Sequence, residues 1–307
     1  MPYLHQSVKA SLLFLLLLHF QQIKIVMANI NPSQKAVHTK QIIYLTRHGV
    51  ARHNCLEQVV NGSYVKPNLK DPRFTDSPLT PQGHEQALKA GEVLRNHILE
   101  VYQQPIFIDG VIVSPLTRCL QTTQGMMKQI ANYDDRQQQK IQVPQQWIAR
   151  EELREAYGIH YSDKRSSTSQ LAKEWDSHVD FQHLQSDEDI YWKADKRESI
   201  DDINQRIDKF LLFMCWNQLL RNIDTNRSNT DLRKESLCLV TSHGVWMECL
   251  FRRYFPNILQ GGKRVYNCEV YRVEIESDWE HNEINNEWQC RCIQVTGVQL
   301  INGHRNT

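Results

Sequence analysis

Three short apolar runs, each breaking off at a residue with a charged or reactive side chain, constrain this chain more than any other feature. They are Gln41 to Thr46, Phe107 to Val113 and Ser236 to Thr241. None keeps a regular apolar and polar alternation, so each reads as a strand buried on both faces, and each leads into a stretch with helical spacing. Buried strands followed by helices imply a mostly parallel central sheet with helices on both faces, a three-layer α/β/α architecture.

The helices are signalled at their first turns. Thr80 reads as an N-cap with Pro81 at the first helical position, and Ala87, Ala90, Leu94, Ile98 and Val101 recur at helical spacing, predicting a helix from Pro81 to about Tyr102. Ser114-Pro115 repeats that signal after the second run and puts Arg118 in or just past the first turn, with Leu116, Leu120, Met127 and Ile130 on the apolar side. Ser199 caps a third helix, where Asp201 and Asp202 suit the helix dipole and Ile203, Ile207, Phe210, Leu211 and Met214 form the stripe. A fourth helix is expected from Val245 to about Phe255, and a last strand from Val265 to Ile275. A length of 307 residues suits one large α/β domain over 41–275, with an inserted cap segment at about 158–199 and a C-terminal extension, 276–307. Asn61 to Pro78 reads as a loop, and Asp134 to Lys140 as a polar linker.

Lysine and arginine total 36 against 35 acidic residues. No large field therefore draws the chain to nucleic acid or to an acidic membrane, and any anion site has to be local. The eight cysteines are scattered, several inside apolar runs, which is the pattern of buried thiols rather than of a disulfide framework. Cys290 and Cys292 form a C-x-C pair with no second pair at zinc spacing, so no metal is assigned, and no cofactor is expected. Ala10 to Phe20, after Lys9, is too short to span a bilayer but has the length of a signal-peptide core, with Val26 and Ala28 as a cleavage site. Gln21, Gln22 and Lys24 interrupt that pattern, and Met27 offers a compact alternative start. Residues 1–28 are thus read as a leader, either a signal peptide or a misassigned start. No stable membrane insertion is expected, and a cytoplasmic location is preferred to a secreted one. The sequons at Asn61 and Asn226 matter only if the chain is secreted.

In open α/β sheets, ligands gather at the carboxyl ends of the strands. Here those ends carry Arg47-His48, Ser114 to Arg118, and His243. The topology would bring two guanidiniums and two imidazoles to one edge, beside a helix N-terminus that itself attracts anions. Such a set suits a phosphate ester, which is nearly doubly negative at neutral pH and very slow to hydrolyse unaided. Two guanidiniums can grip its oxygens bidentately, and a neutral imidazole can attack phosphorus, splitting one hard displacement into two easier ones.

Four segments occur together in a recognisable order: Arg47-His48-Gly49; Asp76-Ser77-Pro78-Leu79-Thr80 with Gly83 and Gln86-Ala87; Ser114-Pro115-Leu116-x-Arg118-x-x-Gln121-Thr122; and Ser242-His243-Gly244. The chain resembles the histidine phosphatase superfamily, in its phosphoglycerate-mutase-like branch, over roughly Gln41 to Ile275. The resemblance implies that His48 becomes transiently phosphorylated, that Arg47, Arg118 and His243 build the phosphate pocket, and that Asn54 adds a donor there. Glu155, within Leu153-Arg154-Glu155, would protonate the leaving oxygen and then activate water. The R-H-G-x-x-x-H-N opening, Asp163-Lys164-Arg165, Trp192 and Arg197-Glu198 are similar to a plant and fungal subgroup whose members are better viewed as phosphatases than as glycolytic mutases.

Two departures from neighbouring branches bear on the reaction. Ala51 and His53 stand where mutases usually carry Ser or Thr and Trp, and the R-H-G-x-R-x-P and H-D signatures of acid phosphatases and phytases are absent. The expected activity is metal-independent hydrolysis of a small phosphomonoester, with a phosphoglycerate-type mutase or a non-catalytic phospho-ligand binder as alternatives. Arg52, Lys164 and Arg165 are expected at the exposed surface, Trp175 and Trp192 in the core, and Gly158 to Ser199 over the pocket, setting specificity.

Overall fold

The three apolar runs all become strands of one sheet, in a computed structural model that describes residues 36–58, 63–103, 105–131, 141–223, 235–282 and 287–302. The leader, Asn61, Asn226 and the polar linker lie outside the described residues. In chain order the main elements are β1 (Ala36–Arg47), α1 (Pro81–Val101), β2 (Gly110–Val113), α2 (Thr117–Ala131), β3 (Trp147–Ala149), α3 (Thr168–Trp175), β4 (Val179–Asp180), α4 (Ile200–Ile223), β5 (Glu235–Ser242), α5 (Gly244–Tyr254), β6 (Val270–Asn282) and β7 (Glu287–Asn302). The sheet order is β7-β6-β1-β5-β2-β3-β4. From β1 to β4 the pairings are parallel, whereas β6 runs antiparallel to β1, and β7 to β6.

The continuous apolar character of the inner strands follows from burial on both faces. Ile43, Leu45, Ile112, Cys238 and Val240 pack with Phe210 of α4 and Trp246 and Phe251 of α5. Their neighbours Ile42, Tyr44, Val111, Val113, Leu237 and Leu239 point the other way, toward Ala90 and Leu94 of α1 and Leu120 and Met126 of α2. Each fully buried side chain of this size contributes roughly 1.5–3 kcal/mol.

Several boundaries differ from expectation for physical reasons. The run Phe107 to Val113 divides at Asp109, whose carboxylate accepts the Leu237 N–H at 2.8 Å, so only Gly110–Val113 joins the sheet. The last strand starts later than Val265 because residues 266–269 form a turn, closed by the Glu269 N–H on Tyr266 O with Cys268 at a φ of 58°. Residues 276–302 are not a separate extension within the described chain. They complete β6 and supply β7, and they bury Trp279 and Trp288 against the α4 side of the sheet. Nor is the segment at 158–199 wholly a cap: β4 pairs with β3 at the sheet edge, and Trp175 packs into the core beside Trp147.

Helix α1 is fastened at its N-terminus to the segment that follows β1. The Thr80 N–H and Oγ1 both donate to Val50 O, at 2.9 and 3.0 Å, and Thr80 Oγ1 in turn accepts from the Gly83 N–H at 3.1 Å. Gln86 Oε1 accepts from the Val50 N–H at 2.9 Å, and Thr122 Oγ1 from the Gly49 N–H at 3.0 Å. The two backbones meet so closely that a Cβ on Gly83 would lie 2.1 Å from Val50 O. Gly83→Ala must push α1 away from the segment beside His48, and we expect a loss of about 2 kcal/mol of stability, the usual scale of overpacking, read as a lower midpoint in urea denaturation.

Candidate active site

Three strands end level with one another. Arg47 at the end of β1 is in register with Ser242 at the end of β5, and Val113 at the end of β2 is in register with Thr241. One more backbone bond extends each pairing, from the His48 N–H to Ser242 O at 3.1 Å and from the Ser114 N–H to Thr241 O at 3.0 Å. His48, Ser114 and His243 are thereby set on a single edge. The imidazoles of His48 and His243, distant in sequence, lie with ring centroids 5.1 Å apart.

The backbone around His48 decides which nitrogen is available. His48 is buried, and its Nδ1 lies 2.7 Å from Gly49 O. A carbonyl oxygen only accepts, so Nδ1 carries the hydrogen and the lone pair is on Nε2. Burial, then the positive charges of Arg118 and Arg47, hold its pKa well below the ordinary histidine value of 6.5. His48 is a neutral base with its nucleophilic nitrogen defined.

The guanidinium of Arg118 is completely buried near the start of α2. It is anchored from behind, Nη1 donating to Ser162 O at 2.5 Å and Nη2 to Asp163 Oδ1 at 3.0 Å. Arg47 donates through Nη1 to Val265 O at 2.6 Å and lies flat against the start of α5, where a Cβ on Gly244 would come within 3.3 Å of Arg47 Cζ. Both arginines have a buried Nε without a hydrogen-bond partner among the described residues. Buried donors of that kind are rare, and two beside a basic imidazole suit an anionic ligand.

Glu155 reaches the N-terminus of α5: its Oε2 accepts from the Val245 N–H at 3.3 Å, and its Oε1 from the Ala156 N–H at 3.1 Å. Desolvation and then the negative charge of Asp163 raise its pKa above the usual carboxyl value, against the pull of Arg118 and the two N–H groups. That is the direction a proton donor needs. His243 is fully buried, with Nε2 2.7 Å from Ser114 Oγ and 3.3 Å from Cys119 Sγ. Burial and Arg118 push its pKa well below 6.5; a phosphoryl dianion beside it would pull the other way.

Asn54 is exposed and uses its Oδ1 to accept the Ala51 N–H at 3.0 Å, capping the turn that follows Gly49. His53 stands nearer the centre, its ring 5.9 Å from that of His48, with Nδ1 buried and unpartnered among the described residues. Desolvation and Arg118 lower its pKa to about 3. Arg52 is at the surface, with its guanidinium 5.6 Å from the Phe74 ring centroid. Arg165, expected at the surface, is instead buried, its Nε donating to Glu151 Oε1 at 2.9 Å and its Nη1 to Asp187 O at 3.0 Å. The carboxylate of Glu151 supplies the anionic partner that makes its burial tolerable. Lys164 is half-buried and lies 5.3 Å from the Trp192 ring centroid. Trp175 and Trp192 are both buried.

Sequence reasoning missed several residues that hold the site. Ser114 was expected to cap α2, but its hydroxyl faces His243, and the cap comes from Asp76, which accepts the Thr117 N–H and Oγ1, each at 2.8 Å. Cys119 and Ser162 gave no local signal. Asn267, from the turn before β6, donates to His48 O at 2.8 Å. Asp163 was visible only as part of the Asp163-Lys164-Arg165 resemblance.

The family model for the histidine phosphatase superfamily (branch 1) matches residues 43–287. A phosphoglycerate mutase-like protein of Arabidopsis thaliana is 24% identical over 256 residues, spanning 78% of this chain and 84% of the relative. Phosphoglycerate mutase-like protein 1 of the same plant is 30% identical over 205 residues, spanning 61% and 67%. Among solved structures, a phosphoglycerate mutase from Bacillus anthracis str. Sterne superposes over 82% of this chain and 92% of its own, at 16% identity and a TM-score of 0.42. Because that family model spans well over half of the sequence, residues 43–287, the chain belongs to the histidine phosphatase superfamily, branch 1.

Proposed function

We infer that this protein is a phosphatase that hydrolyses a small phosphomonoester through a phosphohistidine on His48, without a metal. The observation that carries the reading is the pairing of a tautomer-fixed His48, its lone pair on Nε2, with the two buried and unpartnered arginine Nε donors. In the first step Nε2 attacks phosphorus, the bond from phosphorus to the ester oxygen breaks, and the Glu155 proton goes to the departing alcohol. In the second, Glu155 takes a proton from water, the water oxygen attacks phosphorus, and the P–N bond breaks to release inorganic phosphate and free His48. Arg47, Arg118 and His243 stabilise the charge on the equatorial oxygens in both steps, a contribution worth most in a site closed to water. Hydrolysis is preferred to mutase chemistry because Ala51 and His53 replace the residues usual in mutases.

Acid quenching during turnover of a 32P-labelled monoester should trap label on the wild-type protein and none on His48→Ala, and wild-type hydrolysis by the alanine variant would overturn the reading. Arg118→Ala should lower kcat/KM roughly a hundredfold, about 3 kcal/mol of barrier. For pH, kcat/KM should fall on the alkaline side as Glu155 loses its raised-pKa proton. On the acid side it should fall only well below pH 6.5, where His48 gains one. Labelled phosphoglycerate interconverted without release of phosphate would favour the mutase instead.

A further inference from the structure

Arg118 is bonded to a buried carboxylate that the proposed chemistry does not use. Asp163 is 3% exposed and ends the short turn Tyr161–Asp163. Its Oδ1 accepts from Arg118 Nη2 at 3.0 Å, while the preceding residue offers Ser162 O to Arg118 Nη1. One turn therefore occupies both terminal nitrogens of the guanidinium and fixes the direction of its fork. The other carboxylate oxygen, Oδ2, accepts from Arg197 Nη1 at 2.8 Å and lies 3.7 Å from His160 Nδ1. The same Arg197 nitrogen donates to Gly158 O at 2.7 Å, closing the segment from 158 to 197 at its base. Asp163 O accepts from Arg154 Nη2 at 2.7 Å, so the turn is fastened to the strand of chain that carries Glu155.

We propose that Asp163 is a positioning residue for the reaction, aiming Arg118 at the phosphoryl group and, with Arg197 as its counter-ion, setting the charge that Glu155 faces. The kinetic part of this inference rests on the phosphatase reading; the geometric part does not. Burial alone would raise the Asp163 pKa, but His160, Arg118 and Arg197 outweigh it and keep the carboxylate ionised. The groups facing Glu155 come from every side of the site: Arg118 from α2, Asp163 from the turn, Arg47 from β1, the Ala156 N–H beside it, the Val245 N–H from α5, and Arg206 from α4, whose Nη2 lies 3.4 Å from Glu155 O. Of these, Asp163 is the carboxylate that favours a protonated Glu155, and Arg118 opposes it.

The sign of each perturbation follows. Removing the Asp163 charge makes Glu155 easier to ionise, so the alkaline limb of kcat/KM, which reports the protonated acid of the first step, moves to lower pH. Removing Arg197 leaves Asp163 less neutralised, so the limb moves to higher pH. A residue that merely supports the fold has no reason to move the limb in opposite directions.

The test uses the full-length chain with the isosteric variant Asp163→Asn and, separately, Arg197→Met. Inorganic phosphate binding is measured by calorimetry, and kcat/KM across pH with glycerol phosphate, an alkyl monoester whose departing alkoxide needs the Glu155 proton. Asp163→Asn should bind phosphate roughly tenfold more weakly and lose on the order of a hundredfold in kcat/KM, the scale of a displaced positioning group. Its limb should shift down, and that of Arg197→Met up. A folded Asp163→Asn with wild-type phosphate affinity, or two variants whose limbs move the same way, overturns the proposal. If Asp163→Asn fails to fold, Arg197→Met decides alone, an upward shift supporting it and no shift or a downward one overturning it. A wild-type protein that turns over no phosphomonoester would defeat the phosphatase reading, while the phosphate affinity of the variants would still judge the aiming of Arg118.

Discussion

The structure depends first on the level ending of β1, β5 and β2. Parallel pairing with Arg47 opposite Ser242 and Val113 opposite Thr241 is what turns residues far apart along the chain into neighbours. A slip of one residue in either pairing would exchange the two faces of a strand whose centre is apolar on both. Such a slip would cost little hydrophobic burial, so alternation along the strand does not specify the register. Polar fixtures at the strand ends do: the His48 N–H on Ser242 O, Asp109 bridging to Leu237, and Gln41 Nε2 donating to Ser236 Oγ at 2.9 Å.

Electrostatics in the site is a balance of opposed costs. Two guanidiniums beside two buried imidazoles would be untenable if the imidazoles were charged, and both histidines are accordingly held neutral. Arg118 is neutralised from behind by Asp163, whose charge would otherwise be as costly as that of the arginine, and Arg197 completes the alternation. Deeper in the same region, Arg154 is set between Glu151 and Asp189, and Arg165 also reaches Glu151. The side of the fold that holds the candidate site is thus supported by a chain of alternating charges, not by apolar packing alone.

Much of this was legible in the sequence, and the division is physical. The inner strands and α1, α4 and α5 were visible because burial on both faces, or a cap followed by an apolar stripe, leaves a local pattern. The convergence of His48, Arg118 and His243 was legible because each stands at a strand end or in a helix's first turn, where the topology brings them to one edge. β7 was not seen because a half-exposed edge strand of mixed polarity carries weak periodicity, and β3 and β4 are too short to show any. The burial of Arg165 was misjudged because its partner Glu151 lies fourteen residues away, beyond the reach of local reasoning. Ser114 illustrates the same limit: its neighbour Pro115 signals a cap, yet a carboxylate thirty-eight residues upstream does the capping and frees the hydroxyl for His243.

The seam where α1 abuts Val50 is made of main chain on one side and a bare glycine on the other. Such a junction is indifferent to the identity of core side chains. A core substitution that leaves the helix its approach leaves the backbone beside His48 where it is.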